Sequence, residues 1–315
     1  MHMLKRLTSV LLALLLTLLT PACLAEGEWP ELNADGYLDE GEFVYVNVEE
    51  GVWRYVSQDL KVEIIRYTVT EPDKLIWYEA EVWSRNGETW GMVTNVEGKH
   101  MSTSAYPYIV ARKNQTVLAI SADYAQIRYP AKDNSVGIII RDGKVFSNKT
   151  KKASYRGFPN LDVLALYPDG RMEVYDSNEH TAEEYLEMGV TTTLSFGPWL
   201  IRDGMMNPDN VDGFNKANNP RVAIGMVEPG HTFAMMLEGR HKGSHGASLS
   251  FLANRLMEKG CVVAFNLDGG QTACILFMGE QLNVVGGTTI PNGNARKTTE
   301  LLGIGYSELV PDYDE

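Results

Sequence analysis

The chain has 315 residues, 44% hydrophobic and 22% charged, enough for one large domain or two modest ones with a core that needs no cross-links. With 28 basic against 41 acidic side chains the formal net charge is -13, which excludes binding nucleic acid or an anionic membrane through bulk charge. Three cysteines exclude a disulfide scaffold. An anionic ligand would have to be met locally, by arginines and backbone N–H groups.

Lys5 and Arg6 precede an apolar run from Leu7 to Leu19, followed by small residues at Ala22, Cys23 and Ala25. This reads as a signal peptide over residues 1–25, cleaved after Ala25, and the expectation is a secreted protein with no membrane span. Lipoprotein anchoring at Cys23 is the rival, disfavoured because Thr20 stands where a lipid-attachment box wants a branched apolar residue.

Residues 26–59 form an acidic lead-in and the first strands. Asn33 to Gly36 invites a calcium-loop reading, but the glycine and glutamate spacing of such a loop is missing. From Phe43 to Trp90 the pattern alternates and is rich in Val, Ile, Tyr and Trp, which predicts strands with one wet face and aromatics in the core. Thr116 to Tyr124 predicts a buried strand ending at Asp123, either a turn carboxylate or a site residue. Gly137 to Asn148 predicts a hairpin around Asp142-Gly143, and Leu161 to Asp176 another around Pro168-Asp169-Gly170. Thr181 to Glu184 is a capping box opening a short helix to Gly189, and Leu194 to Asp203 a strand with a glycine turn. Two apolar runs surround Glu228-Pro229-Gly230, the second ending at Leu237-Glu238-Gly239-Arg240. Ser248 caps a helix whose apolar face is Leu249, Leu252 and Leu256 and which closes at Gly260.

That helix feeds the stretch on which the chain centres, Cys261 to Phe277. Two apolar runs flank Asp268-Gly269-Gly270. The polar centre is either a hairpin turn chosen for backbone shape or a carboxylate at the lip of a sheet, beside amides that can approach an anion. Cys261 and Cys274 could form one bridge or stay two buried thiols. Strands outnumber helices, so the expected fold class is α+β: a large mixed or antiparallel sheet core with a few covering helices, the main domain spanning 60–310.

Arg221-Val222-Ala223-Ile224-Gly225, Leu237-Glu238-Gly239-Arg240, Gly246 before a helix, and Asn266-Leu267-Asp268-Gly269-Gly270 resemble, in order and spacing, the phosphodiester glycosidase family. Its pattern runs approximately R-T-A-I-G, V-D-G-R, G-x-[ST]-L and N-L-D-G-G-G-S-S-T, preceded by A-I-N-G-x-F and G-x-x-I-x-x-G. The upstream elements look like Ala119 to Tyr124 and Gly137 to Gly143, and Arg296 precedes the closing strand Leu301 to Tyr306.

The resemblance implies a hydrolase acting on a sugar-1-phosphodiester or phosphorylated glycan of an envelope or extracellular glycan, with no cofactor and no metal. It makes Arg221 and Arg240 the phosphate clamp, since the guanidinium fork matches phosphate, completed by N–H groups of Gly269, Gly270 and Gln271 and by Thr272. Asp268 would stabilise or attack the oxocarbenium-like centre, with Glu238 or Asp123 as acid or base. His241 and His245 are four apart but flank a non-helical Lys242-Gly243-Ser244, which argues against zinc; Ser244 or His245 contacting substrate is the alternative. The chain departs from the pattern in three places. Gln271 to Cys274 replace Gly-Ser-Ser-Thr, putting a Cβ where a positive φ would cost roughly 1 to 2 kcal/mol; Glu238 replaces Asp; Ser121 replaces Asn. Either the substrate differs from that of typical members, or turnover is lost and glycan-phosphate binding kept.

Overall fold

A computed structural model describes residues 29–123, 137–149, 161–211, 216–287 and 293–313. The expected signal peptide and Cys23 lie outside the described residues. No helix among them is long and apolar enough to cross a membrane.

In chain order the strands are β1 (Phe43–Asn47), β2 (Val52–Val56), β3 (Leu60–Val69), β4 (Leu75–Ser84), β5 (Gly91–Thr94), β6 (Thr116–Ile120), β7 (Gly137–Arg141), β8 (Lys144–Lys149), β9 (Asp162–Leu166) and β10 (Met172–Tyr175). They continue as β11 (Thr192–Phe196), β12 (Trp199–Arg202), β13 (Met205–Met206), β14 (Arg221–Glu228), β15 (His231–Leu237), β16 (Val263–Leu267), β17 (Ile275–Phe277), β18 (Glu280–Gln281) and β19 (Glu300–Tyr306). Helices are α1 (Pro107–Lys113), α2 (Ala182–Glu187) and α3 (Leu249–Glu258).

The larger sheet has nine strands in the order β1-β2-β3-β4-β15-β14-β16-β12-β13, and the second has five, β18-β17-β6-β19-β5. β10-β9-β11 and β7-β8 make two smaller sheets. The pairings are antiparallel, so the open choice between mixed and antiparallel resolves to the second. The fold is mostly β, with three helices among the described residues.

Alternation explains how the sheets bury. In β3, Leu60, Val62 and Ile64 turn inward while Lys61 and Glu63 are half-exposed. Those residues, with Val222, Ile224 and Phe265, pack against Leu118, Ile120, Ile275 and Leu302 of the five-stranded sheet. The other face of the large sheet is covered by α3, whose Leu249, Leu252 and Leu256 sit on Ala223, Met235 and Leu237. Ser248 caps α3 by accepting from the Phe251 N–H at 3.4 Å, and Gly260 follows with φ +83. Buried Glu79 pins the helix to the sheet, accepting from Arg255 at 2.7 Å and Trp77 Nε1 at 2.8 Å with Lys259 at 3.1 Å. Burial alone would raise its pKa, but these partners hold it below the usual carboxylate range.

The capping box at Thr181 and Glu184 forms as expected. Other expectations change. Leu194 to Asp203 is two strands in different sheets, broken at Gly197-Pro198 where Gly197 has φ +77. Helix α1 carries no amphipathic run long enough to announce itself; it starts on Pro107, whose missing N–H costs nothing at a first helical position. Cys261 and Cys274 are free and buried in separate apolar clusters, so the bridge alternative falls.

The central stretch is not a hairpin. β16 lies inside the nine-stranded sheet and β17 inside the five-stranded one, so the polar residues between them carry the chain from one layer to the other. The turn lies across the edge of the sandwich, where both sheets open.

Candidate active site

Register places the site. β14 is flanked by β15 and β16, with Arg221 opposite Leu237 and Val222 opposite Leu267. Arg221 opens β14, while Glu238 and Asp268 are the first residues beyond β15 and β16. The two carboxylates thus leave strands on either side of the arginine's own. With strands roughly 4.8 Å apart, their backbones are on the order of 10 Å from one another.

Glycines let the segments converge. A Cβ on Gly269 would stand 2.5 Å from the Pro220 carbonyl, one on Gly246 2.5 Å from the Asn219 carbonyl, and one on Gly286 2.2 Å from the Gly239 carbonyl. Each side chain would collide with backbone, which cannot yield.

Asp268 is locked by its main chain. Its N–H donates to Ala122 at 2.9 Å, and its carbonyl accepts from the Ser121 hydroxyl at 2.8 Å. Ser121, where the resemblance expects Asn, therefore still ties the upstream strand to the turn. The Asp268 residue is 5% exposed.

Arg221 is buried and donates to the carbonyls of Ala217 at 2.9 Å and Ala247 at 3.4 Å. Burial, then the charge of Arg240, pushes its pKa down to about 10. Arg240 is exposed, oriented by Asn219 Oδ1 at 2.7 Å, and adopts φ +61, a conformation unusual for a side-chain-bearing residue. Its guanidinium lies against Gly270, where a Cβ would come within 3.4 Å of a terminal nitrogen. Two like charges are thus drawn together at the mouth of the turn, an arrangement that an anion stabilises.

The remaining predicted residues take other tasks. Gly270 donates its N–H to Pro220 at 3.0 Å, so that amide is spent on the fold instead of on an anion. Gln271 is absent from the positive-φ positions, the left-handed residue being Gly270 at +59; the anticipated strain at Gln271 does not arise. Its side-chain amide donates to the Gly287 carbonyl at 2.9 Å, and its own carbonyl accepts from Arg296 N–H at 2.9 Å. Thr272 is buried with a hydroxyl that finds no hydrogen-bond partner among the described residues, and so is Arg296 Nε.

Glu238 is a brace. One carboxylate oxygen accepts from Val284 N–H at 2.8 Å and lies 3.3 Å from the Tyr78 hydroxyl, and the other meets His241 Nε2 at 2.9 Å. His241 Nδ1 accepts from Gly243 N–H at 3.1 Å, so both ring nitrogens are committed, which removes His241 as a metal ligand; no metal-binding cluster occurs among the described residues. Ser244 is fully buried, donating to the Glu238 carbonyl at 2.8 Å and accepting from Ile76 N–H at 3.1 Å, and therefore cannot touch substrate. His245 is exposed and joined to Lys74 through its backbone N–H.

Asp123 is taken into a buried ion-pair network. Arg141, fully buried, contacts Asp123 at 3.1 Å and Glu300 at 3.0 Å; Glu300 continues to His100 at 3.0 Å and Met101 N–H at 2.8 Å. Burial alone would lower the Arg141 pKa, but Glu300 and Asp123 raise it. The hydrogen bond to Glu300 raises His100 against the opposing effect of burial. Ala122, the neighbour of Asp123, accepts from the Asp268 N–H, which joins the network to the turn. Sequence reasoning missed Arg141, although an arginine closing an apolar run, Gly137-Ile138-Ile139-Ile140-Arg141, was a signal: a buried charge needs partners.

Comparison with known proteins agrees with this architecture. A curated relative, the SPbeta prophage-derived uncharacterized protein YomE of Bacillus subtilis, is 25% identical over 201 residues, 63% of this chain, which spans only 29% of that relative's length. The zebrafish N-acetylglucosamine-1-phosphodiester alpha-N-acetylglucosaminidase catalytic domain, auto-inhibited by its pro-peptide, shares the fold at TM-score 0.60 and 17% identity, covering 80% of this chain and 85% of that one. A hypothetical protein from Synechocystis does so at TM-score 0.54 and 13% identity, covering 79% of this chain and 62% of its own. The phosphodiester glycosidase model matches residues 114–304, which include Asp268, Arg221, Arg240, Asp123, Arg141 and Glu300, and the chain belongs to that family.

Proposed function

We propose that the protein hydrolyses a glycosyl-1-phosphodiester, N-acetylglucosamine-1-phosphodiester being the first candidate, in an envelope or extracellular glycan outside the cell. The observation that carries this is the pair Arg221 and Arg240: a buried cation held beside a second cation, with Asp268 leaving the adjacent strand.

A phosphodiester anion between the guanidinia relieves their repulsion, each charge-assisted hydrogen bond contributing roughly 1.5 to 3 kcal/mol. Asp268 then faces the anomeric carbon. Water adds there and its proton passes to the departing phosphate; the bond between the anomeric carbon and the phosphate oxygen breaks, and the phosphate monoester leaves with the bonding electrons while positive charge at the sugar is stabilised by the carboxylate. A phosphate ester is a good leaving group, so the commitment of Glu238 and Asp123 to other partners leaves this chemistry intact.

Purified protein incubated with a panel of sugar-1-phosphodiesters is expected to release free sugar, and Asp268→Asn to lose at least a hundredfold in rate. No release from any member, or full rate in Asp268→Asn, overturns the proposal. A second reading has its own support: Gln271 spends its side chain on Gly287 in the loop beside Arg240, closing a flank that the family pattern leaves to glycine and hydroxyls. In that reading the protein binds glycan phosphates without turnover, and measurable hydrolysis excludes it.

A further inference from the structure

The nine-stranded sheet is wider than the sheet it packs on. β1 and β2 end the nine-stranded sheet and β18 is an edge of the five-stranded one, and Val44, Val46 and Trp53 line an open wedge together with Phe277, Met278 and Leu282. The wedge is a cavity of about 510 Å³, within the range that takes a small ligand. Val44, Val46, Met278 and Leu282 pack on the main core while remaining partly exposed, so the cavity continues the protein's interior outward.

Its polar end is Arg66. Along β3 the inward row is Leu60, Val62, Ile64 and then Arg66, directly opposite Tyr78 of β4. The guanidinium donates to the carbonyls of Val48 at 2.9 Å and Glu49 at 3.4 Å, and among the described residues it forms no ion pair with a carboxylate. Glu280 on the rim is already paired with Arg112. Arg66 is half-buried, so it holds a positive charge at the rim of a largely apolar cavity, where an anionic head group could make charge-assisted hydrogen bonds with it.

We propose that this wedge binds a single-chain anionic amphiphile, its alkyl chain between the two sheets and its carboxylate or phosphate head on Arg66. The site is separate from the Arg221 and Arg240 pair and does not depend on the function proposed for that pair. Tyr78 stands between the two, its hydroxyl donating to the Leu282 carbonyl at 3.0 Å on the cavity wall and facing Glu238 at 3.3 Å on the other side.

The test is calorimetric titration of the full protein with dodecyl phosphate, laurate and uncharged dodecyl maltoside, each below its micellar concentration. Wild type is expected to show one saturable site for dodecyl phosphate, at least tenfold tighter than for the maltoside; the laurate arm distinguishes a fatty-acid head from a phosphate head. Arg66→Gln should erase the preference for charge, and Val46→Trp should fill the wedge and abolish binding of both probes. Should Val46→Trp fail to fold by thermal melt, Met278→Trp fills the wedge from the other sheet. Gly91→Ala on β5, at the opposite edge of the five-stranded sheet from β18, should leave binding unchanged. Absence of saturable binding, equal affinity for the neutral probe, survival in the folded filling variant, or loss in Gly91→Ala would each overturn the proposal.

Discussion

Arg221 and Arg141 are both buried arginines, and the account assigns them opposite energetic roles. Replacing each with methionine, which keeps much of the apolar stem, should therefore cost less at Arg221 than at Arg141. For Arg221, the fall from the ordinary arginine value to about 10 corresponds to roughly 3 kcal/mol of destabilisation carried by the charged form. A base whose folded pKa is depressed carries the full penalty below about pH 10, and sheds it as pH rises from there toward the ordinary arginine value. Arg221→Met removes that penalty at pH 7 and loses hydrogen bonds that include those to the Ala217 and Ala247 carbonyls, the second long at 3.4 Å, each bond to a charged group being worth roughly 1.5 to 3 kcal/mol. Those two bonds set against the penalty leave a net loss of roughly 0 to 3 kcal/mol. Arg141→Met removes the buried countercharge shared by Asp123 and Glu300, and should cost about 3 to 5 kcal/mol. Urea unfolding of the three proteins at pH 7 reads the difference. A loss for Arg221→Met as large as for Arg141→Met would refute the idea that Arg221 is kept for a ligand, because it would mean the fold itself depends on that charge.

Other consequences are cheaper to test. Gly269→Ala, whose Cβ would meet the Pro220 carbonyl at 2.5 Å, should lower the melting temperature and abolish binding of sugar phosphates, while Gly91→Ala on β5, which meets nothing within 4 Å, should do neither. Burial raises the Asp162 carboxyl from 3.8 to about 7. Its contribution is therefore complete below pH 3.8 and lost as pH rises to 7, by roughly 4 kcal/mol at most; Asp162→Asn should flatten that part of a stability–pH profile relative to wild type. Burial also raises both thiols, Cys261 to about 12, so an aromatic disulfide reagent at pH 8 should label neither cysteine until the protein is unfolded.

How much of this was legible in the sequence depended on the range of the interaction that decides each feature. Local chemistry was readable: the Ser248 and Thr181 caps, the turns at Asp142-Gly143 and Glu228-Pro229-Gly230, and the alternation of β3 all follow from neighbours in the chain. The sheet partner of a buried strand was not, since Val263–Leu267 and Ile275–Phe277 read alike although they lie in different sheets. Periodicity reports burial and carries no information on which layer does the burying. In the candidate site, Asp268 was named from its place beside two glycines at a strand end, and Arg221 and Arg240 from the family resemblance, with which the match of the guanidinium fork to phosphate agrees. Glu238 and Ser244 carried the same promise, and their roles as braces depend on Tyr78, Val284 and Ile76, up to 168 residues away in sequence. Arg141 and Arg66 are a related lesson: an arginine on an apolar strand shows that a buried charge needs a partner without saying whether the fold or a ligand provides it.

The central claim is that Asp268 and the two arginines cleave between the anomeric carbon and the phosphate oxygen. Hydrolysis of a sugar-1-phosphodiester in heavy-oxygen water tests it most directly, with the phosphate product read by mass because the anomeric hydroxyl of a free sugar exchanges with solvent. The account predicts a phosphate monoester free of label from the wild type, and no product from Asp268→Asn. Heavy oxygen in the phosphate would place the attack at phosphorus and contradict it.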